Sequence, residues 1–336
     1  MRFVLIAVGA VVVLALPLIF NSNYWQQIMV LALTYAIVVL GLNFPLGYAG
    51  QMSLAQAAFW GIGAYTSALL ATRLQVNFWL GLVAAALVAG AFGAVLGIPT
   101  LKLSGHYLAM TTIGFGIIIG LVLQNWQALG GADGIRSIPA PAIGPFAFTD
   151  NQSQYYLLLA FVALLAYATW RITHSRVGRA FLAVRENELA AAAMGVDVTK
   201  YKIIAFMLSA ALGGIGGSLY AHTSGYISPD TFSFDQSVLF LSMLVLGGAG
   251  SLWGPIFGAA LFTFLPEYLR FLKDSYLLVY GVGVILTMVF FPTGLWGLIE
   301  RLYARLGGKV RIIDPYATAV PTTTATAEPV AAASED

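Results

Sequence analysis

The sequence predicts an all-α protein, a polytopic transmembrane bundle of about ten helices. Of its 336 residues, 60% are hydrophobic and only 9% are charged, and the mean hydropathy is +0.86. A soluble domain carries roughly 25% charged residues. The apolar runs are continuous, whereas the strands of an outer-membrane barrel alternate in polarity over about ten residues. Composition and run length together therefore favour a helical membrane protein over both other classes.

Ten apolar runs are the predicted spans, each close to the length that crosses a bilayer. Residues 3–20 are interpreted as a retained span rather than a cleaved signal, because no small-residue cleavage site follows them. Two short runs flank the sequence GGAGSLWGP and are also compatible with one re-entrant hairpin, so the count of eight to ten stays open around residues 248–255. The ten runs are 3–20, 24–44, 54–72, 78–98, 106–123, 155–170, 203–222, 236–247, 253–265 and 276–291.

A polar island at residues 171–202 sets the predicted orientation. It holds six of the sixteen Lys and Arg residues, and short basic loops stay in the cytoplasm. With the island inside, ten spans place both termini in the cytoplasm, and twelve of the sixteen basic residues lie on that side. We therefore divide the chain into a membrane domain over residues 1–311 and an Ala/Thr/Pro-rich cytoplasmic tail over residues 312–336, which we expect to be disordered.

Inside the island, residues 187–195 are predicted to form a short helix. Asn187 is suited to the N-cap, Glu188 to the first turn and Gly195 to the position just after the last turn, and Ala190 and Ala191 favour helix. A capped helix on the cytoplasmic face is suited to docking a soluble partner, although a simple connector fits the same pattern. The flanking Arg and Lys are expected to contact membrane lipid.

The sequence gives no indication of catalytic chemistry. The chain has no cysteine and lacks the GxxxxGK[ST] phosphate-binding pattern, and its three histidines lie far apart. No acidic residue falls in the middle of a predicted span, which argues against a proton-driven carrier. We therefore expect no enzyme activity, no catalytic residue, no metal and no cofactor in this chain. A net charge of +2 gives no reason to expect nucleic-acid binding.

One span is interrupted in a way that suggests a transport pathway. Pro45 and the glycines of residues 47–65 interrupt the apolar run, and a broken helix exposes backbone polar groups to a cavity. Ser53, Gln56 and Trp60 are predicted to share one helical face. Hydrogen bonding between helices, with tight glycine packing, is the alternative interpretation. The candidate pathway residues are Gly47, Gly50, Gln51, Ser53, Gln56 and Trp60.

Glycines at spacings of four residues predict sites where helices pack closely. Gly250, Gly254 and Gly258 form one such series, and Gly213 and Gly217 form another. Gly93 and Gly97 repeat the spacing a third time.

Several blocks together resemble the LivM-type permease subunit of bacterial branched-chain amino acid ABC importers. They extend in order over residues 24–300, and the longest are LNFPLGYAGQMSLAQAAFWGIGAYTSALL, SRVGRAFLAVRENELAAAAMGVDVTKYKIIAFMLSA and SFDQSVLFLSMLVLGGAGSLWGPIFGAALFTFLPE. The resemblance implies a multi-pass protein of the bacterial inner membrane. It also implies four partners: a second, LivH-like permease, two cytoplasmic subunits that bind and use ATP, and a periplasmic solute-binding protein.

The resemblance also implies a role for the island helix. Permeases of this class dock on the ATPase through a cytoplasmic loop in which a Gly follows an Ala-rich helix, and Glu188, Ala190, Ala191 and Gly195 match that pattern. Leu189 stands where the pattern has its first Ala, and the spacing to Gly195 is one residue longer, so the docking register departs from the pattern.

Similar permeases serve different solutes. Leucine-type amino acids are the expected substrate, and urea, short amides or aromatic acids are the alternatives. A stand-alone secondary carrier is a more distant alternative.

Overall fold

The computed structural model describes residues 16–17, 22–100, 103, 105–144 and 146–269, together with the single positions 281, 294 and 297. Within that part of the chain the architecture is helical, with one short antiparallel hairpin, β1 (Ala142–Ile143) and β2 (Phe146–Ala147). The helices are α1 (Asn23–Leu42), α2 (Gln56–Arg73), α3 (Phe78–Thr100), α4 (His106–Asn125), α5 (Asn151–Thr173), α6 (Arg176–Glu186), α7 (Glu188–Ala193), α8 (Val198–Ser224), α9 (Phe234–Gly247) and α10 (Gly254–Leu269).

A helix covers most of each predicted span that falls on described residues, but not all of these helices meet the length and hydropathy of a membrane span. Five segments there are long and apolar enough to cross a membrane: Asn23–Tyr48, Phe78–Pro99, His106–Asn125, Asn151–Thr173 and Val198–Ser224. The predicted first and tenth spans and the 312–336 tail lie outside the described residues. The total of ten spans and the cytoplasmic termini therefore stay predictions.

Helix α8 lies at the centre of the bundle and packs against α1, α2 and α3. Gly213 and Gly217 face α2, where a Cβ on Gly217 would overlap the carbonyl of Trp60. Gly93 and Gly97 of α3 approach the backbone of α8 in the same way. Small residues let two helix backbones come close enough for extensive van der Waals contact, which is the main attraction between helices in lipid. The close packing predicted for these glycines is confirmed.

Helix α9 begins beside the first turn of α2, part-way along the bundle. It has 14 residues and is therefore about 21 Å long, short of the ~30 Å hydrocarbon core. The Ser237 hydroxyl near its start accepts a hydrogen bond from the Ala57 amide in the first turn of α2, at 3.0 Å. The chain between α8 and α9 therefore runs inward from the end of α8 before α9 starts.

We call the end of the bundle where α8 finishes the far end. A hydrogen-bond network stabilises it. His222 is buried, and its Nδ1 lies 2.7 Å from the carbonyl of Pro139 in the loop after α4. A carbonyl only accepts, so Nδ1 carries the proton and Nε2 accepts from Ser67 at 2.9 Å. The Ser218 hydroxyl in turn donates to Ser67 at 2.8 Å. These bonds fix the α4–α5 loop to α2 and α8.

The glycine contacts of α8 predict a position-dependent cost of adding one methyl group. Gly217→Ala places a Cβ against the α2 backbone, and we expect a loss of about 1–3 kcal/mol, as in other overpacked cores. Gly114→Ala is the matched control, because a Cβ on Gly114 of α4 meets no atom within 4 Å. Thermal unfolding of the detergent-solubilised protein measures both. Equal melting temperatures for the two variants would contradict the packing assigned to α8.

Candidate functional site: the coupling helix and the helix break

Two short helices lie at the other end of the bundle, the coupling end, between α5 and α8. Helix α6 is amphipathic: Phe181 and Val184 are buried and Arg179 is exposed. The Ser175 hydroxyl caps it by accepting from the amide of Val177 at 3.1 Å. We did not predict α6 from the sequence. The signal was present, since a serine precedes apolar residues spaced at three and four.

The local structure predicted for residues 187–195 is confirmed. Asn187 Oδ1 accepts from the amides of Leu189 and Ala190, each at 3.0 Å. At the other end Gly195 has φ +82°, a left-handed conformation that favours glycine. The amides of Gly195 and Val196 each donate at 3.0 Å, to Ala192 and Ala191 respectively. This is the paired bonding of a Schellman motif, so α7 is closed at both ends by its own sequence.

Helix α7 is buried at one position, and the rest of its surface is exposed and mostly apolar. Ala191 is buried against the protein. Leu189 is 84% exposed and Met194 is 85% exposed. Glu188 is the one charged residue within α7. Large exposed apolar side chains on a well-ordered element are typical of a protein contact surface.

Glu188 attaches α7 to the bundle. Its carboxylate lies 2.6 Å from Nζ of Lys202 on α8, and the Lys202 side chain is only 3% exposed. The expectation that every flanking Lys and Arg faces lipid is therefore wrong for Lys202, because this cation is buried beneath α7 and paired. Residue spacing alone did not indicate the pair, since Glu188 and Lys202 belong to different helices with a turn between them.

The chain between α1 and α2 is broken, as the glycines and Pro45 predict. A π-helical turn, Phe44–Tyr48, follows α1, and the residues from Ala49 to Ala55 are not helical. Gly50 takes a φ of +69° within this stretch. Helix α2 begins only at Gln56, so the prediction that Ser53 shares its face with Gln56 and Trp60 is wrong. The backbone turns before Ser53 can join the helix.

The candidate pathway residues fall into different environments. Gln56 is satisfied inside the bundle, where it donates to the carbonyl of Val38 at 2.8 Å and accepts from Ser209 at 2.8 Å. Trp60 is fully buried among Tyr220, Phe232 and other rings. Ser53 is also buried, at 1% exposed.

Gln51 is buried without satisfying its side-chain amide. It is 4% exposed, and among the described residues neither polar atom of its side chain has a hydrogen-bond partner. A buried amide without partners costs roughly 1–3 kcal/mol for each unsatisfied group. Trp60 shares this feature in part, because its buried Nε1 also has no partner among the described residues. No contact in the described part of the structure assigns a pathway role to any of these residues.

A second break meets the first. Asn43 lies between α1 and the π-helical turn, and its Nδ2 donates to the carbonyl of Ser251 at 2.7 Å. Its Oδ1 accepts from the amide of Gly250 at 2.8 Å. Gly250 lies in the loop before α10, so the prediction that it continues the helical series of Gly254 and Gly258 is wrong. Those two glycines do pack closely, against the carbonyls of Gly248 and Met243 respectively. We call Asn43, Gly47, Gly250 and Ser251 the break junction.

The described part of the chain holds no group of three or more His, Cys, Asp or Glu residues arranged to bind a metal ion. The expected lack of a cofactor stays a prediction.

A bundle of apolar helices with broken segments inside and a capped, partly apolar helix at one end is the architecture of a membrane transport protein. The family model for the permease component of branched-chain amino acid transport systems matches residues 24–291. The chain belongs to this family.

Individual relatives agree. The chain is 35% identical to the high-affinity branched-chain amino acid transport permease LivM of Salmonella typhimurium over 80% of this chain and 69% of that protein, and equally to LivM of Escherichia coli. It is also 25% identical to LivH of Escherichia coli, over 80% of this chain and 92% of that protein. No solved structure matches.

The Glu188–Lys202 pair predicts a charge-reversal pattern. Glu188→Lys places a second cation beside a buried one, and we expect a loss of roughly 1–3 kcal/mol, moderated because Glu188 is half exposed. Exchanging both charges, with Lys202→Glu in addition, restores part of that loss. Glu186→Lys is the control, since it makes the same change at an exposed position two residues earlier. Thermal unfolding in detergent is the measurement, and a double variant no more stable than Glu188→Lys alone would argue against the pair.

Proposed function

We propose that the chain is the membrane-spanning permease subunit of an ABC importer for branched-chain, hydrophobic amino acids, energised by ATPase subunits that dock on residues 187–195. The observation that supports this most directly is the capped α7 helix, with Leu189 and Met194 exposed, in a chain of the branched-chain permease family. The protein lies in the bacterial inner membrane in this account, with α7 in the cytoplasm.

The docking surface follows from the exposure of α7. Leu189 and Met194 offer apolar area to the ATPase, while Asn187, Glu188, Ala190 and Gly195 are exposed around them. Ala191 and the Glu188–Lys202 pair hold the opposite side to the bundle. Glu188 therefore acts by fixing the helix. It is not a direct contact with the partner in this account. ATP is used by the partner subunits, and this chain catalyses no reaction.

A second permease completes the translocation pathway. Curated relatives named LivM and LivH both resemble this chain over 80% of its length, which supports an assembly of two related permeases. Of the five candidate spans, helix α4 has the smallest share of its apolar stretch buried inside the protein, 17%, so much of it is available to lipid or to another subunit. A periplasmic solute-binding protein delivers the amino acid at the far end.

The Gly47–Gln56 region borders the pathway in this proposal, and Gln51 supports it through its unpartnered amide. Opening of the bundle gives that amide a partner in water or solute. Because the native chain has no cysteine, single cysteines report on this without background. We expect Gln51→Cys to react with a water-soluble thiol reagent at different rates with and without ATP, and Ser67→Cys, in the far-end network, to be insensitive. Equal rates at Gln51→Cys in both states would remove it from the pathway.

The substrate assignment is tested by uptake into proteoliposomes that contain the chain, its partner permease, the ATPase subunits and the binding protein. We expect ATP-dependent uptake of leucine that exceeds uptake of urea, acetamide or benzoate. Leucine uptake by the chain alone without ATP would instead support a secondary carrier. ATP-dependent uptake of one of the other solutes would retain the class and change the substrate.

The same assay tests the docking surface. Leu189→Gln combined with Met194→Gln removes exposed apolar area without adding charge, and we expect uptake and co-purification of the ATPase to fall at least about tenfold, a loss of ~1.4 kcal/mol or more in binding. Leu74→Gln is the matched control, because Leu74 is 68% exposed at the far end. Normal uptake by the double variant would place the ATPase contact elsewhere.

A further inference from the structure

Arg185 connects the region of α7, which we call the coupling helix, to the break junction. It lies near the end of α6, and its Nη1 donates to the carbonyl of Gly47 at 2.6 Å. A charged donor at this distance makes a strong hydrogen bond to a backbone carbonyl. The bond joins residues 138 positions apart in the chain, so it ties the coupling end directly to the interrupted segment after α1.

The Arg185 side chain packs against two glycines. A Cβ on Gly50 would come within 2.9 Å of Arg185 Cγ, and one on Gly250 within 3.1 Å of Nη1. Both glycines have a left-handed backbone, at φ +69° and +84°. The aliphatic stem therefore runs along the first break, and the guanidinium lies where the first break meets the second.

No flexible linker separates Arg185 from α7. The amide of Asn187 donates to the carbonyl of Ala183 and ends α6, at 3.1 Å, while the Asn187 side chain caps α7. One residue thus closes both helices, two positions after Arg185. Asn187 is thus the link through which a displacement of α7 would act on Arg185.

Gly47 is itself bonded to the other residues of the break junction. The amide of Gly47 donates to the carbonyl of Asn43 at 2.9 Å, and the Asn43 side chain holds Gly250 and Ser251. A pull on the Gly47 carbonyl therefore acts on the end of α1, the start of the first break and the loop between α9 and α10 together.

We propose that Arg185 is a positioning residue that transmits movement of the coupling helix to the break junction. This rests on the proposed function, because it needs an ATPase that moves α7. A residue that only stabilised the fold would change the amount of active complex and leave the solute imported per ATP hydrolysed unchanged. A transmitting residue changes that ratio.

The experiment measures leucine imported and ATP hydrolysed by the reconstituted importer carrying Arg185→Met, which keeps the apolar stem and removes the donor. We expect the ratio to fall at least about fivefold, within the range of ordinary coupling energies. Arg185→Lys keeps the cation and loses the planar fork, and we expect a smaller fall of about twofold or more. Arg179→Met is the matched control on the exposed side of α6, with the wild-type ratio expected.

The outcomes separate the two proposals. A wild-type complex without ATP-dependent uptake overturns the proposed function. A wild-type complex that transports, with a normal ratio in any folded Arg185 variant, overturns the role of Arg185 alone. Should Arg185→Met not fold, Arg185→Gln takes its place under the same criterion, with folding judged by melting temperature against Arg179→Met.

Discussion

The close backbone contact between α8 and its neighbours is the constraint on which the rest of the structure depends. Gly213 and Gly217 bring α8 against α2, and Gly93 and Gly97 bring α3 against α8. No side chain larger than hydrogen fits Gly217, so the helices cannot separate there without losing contact along their length. Helix α8 also begins directly after α7 and carries Lys202 beneath it. The coupling helix is thus attached to the most tightly packed element of the bundle.

A second constraint comes from the unpaired backbone of the two breaks. Inside a membrane protein, backbone groups released from a helix need partners within the protein. Arg185 supplies one to the carbonyl of Gly47, and the Asn43 side chain supplies two, to Gly250 and Ser251. Of these side chains, Asn43 joins the two breaks to each other and Arg185 joins them to the coupling end. The transmitting role proposed for Arg185 would add to this structural one.

Much of the fold could be predicted because lipid imposes simple rules on sequence. The spans that became α1, α3, α4, α5 and α8 are long apolar runs, and the ends of α7 follow from Asn187 and Gly195, whose effects are local. What could not be predicted depends on contacts between distant residues. The sequence pattern of Lys202 is that of a surface cation, but α7 covers it in the structure. The spacing of Gly250 is that of a helical series, but its amide bonds to Asn43 in a loop. Ser53 follows the helical spacing, but the turn at Gly50 places it before α2.

The central claim is that α7 and the break junction form one mechanical unit. It is tested most directly by the distance between spin labels on cysteines introduced at Ala193 of α7 and at Trp253 in the loop before α10, two exposed positions in a chain without native cysteine. The measurement compares nucleotide-free and ATP-bound forms of the assembled importer. The account predicts that this distance stays the same in both forms, because Arg185 and Asn43 hold the two segments together. A distance that changes on ATP binding while uptake is intact would contradict it.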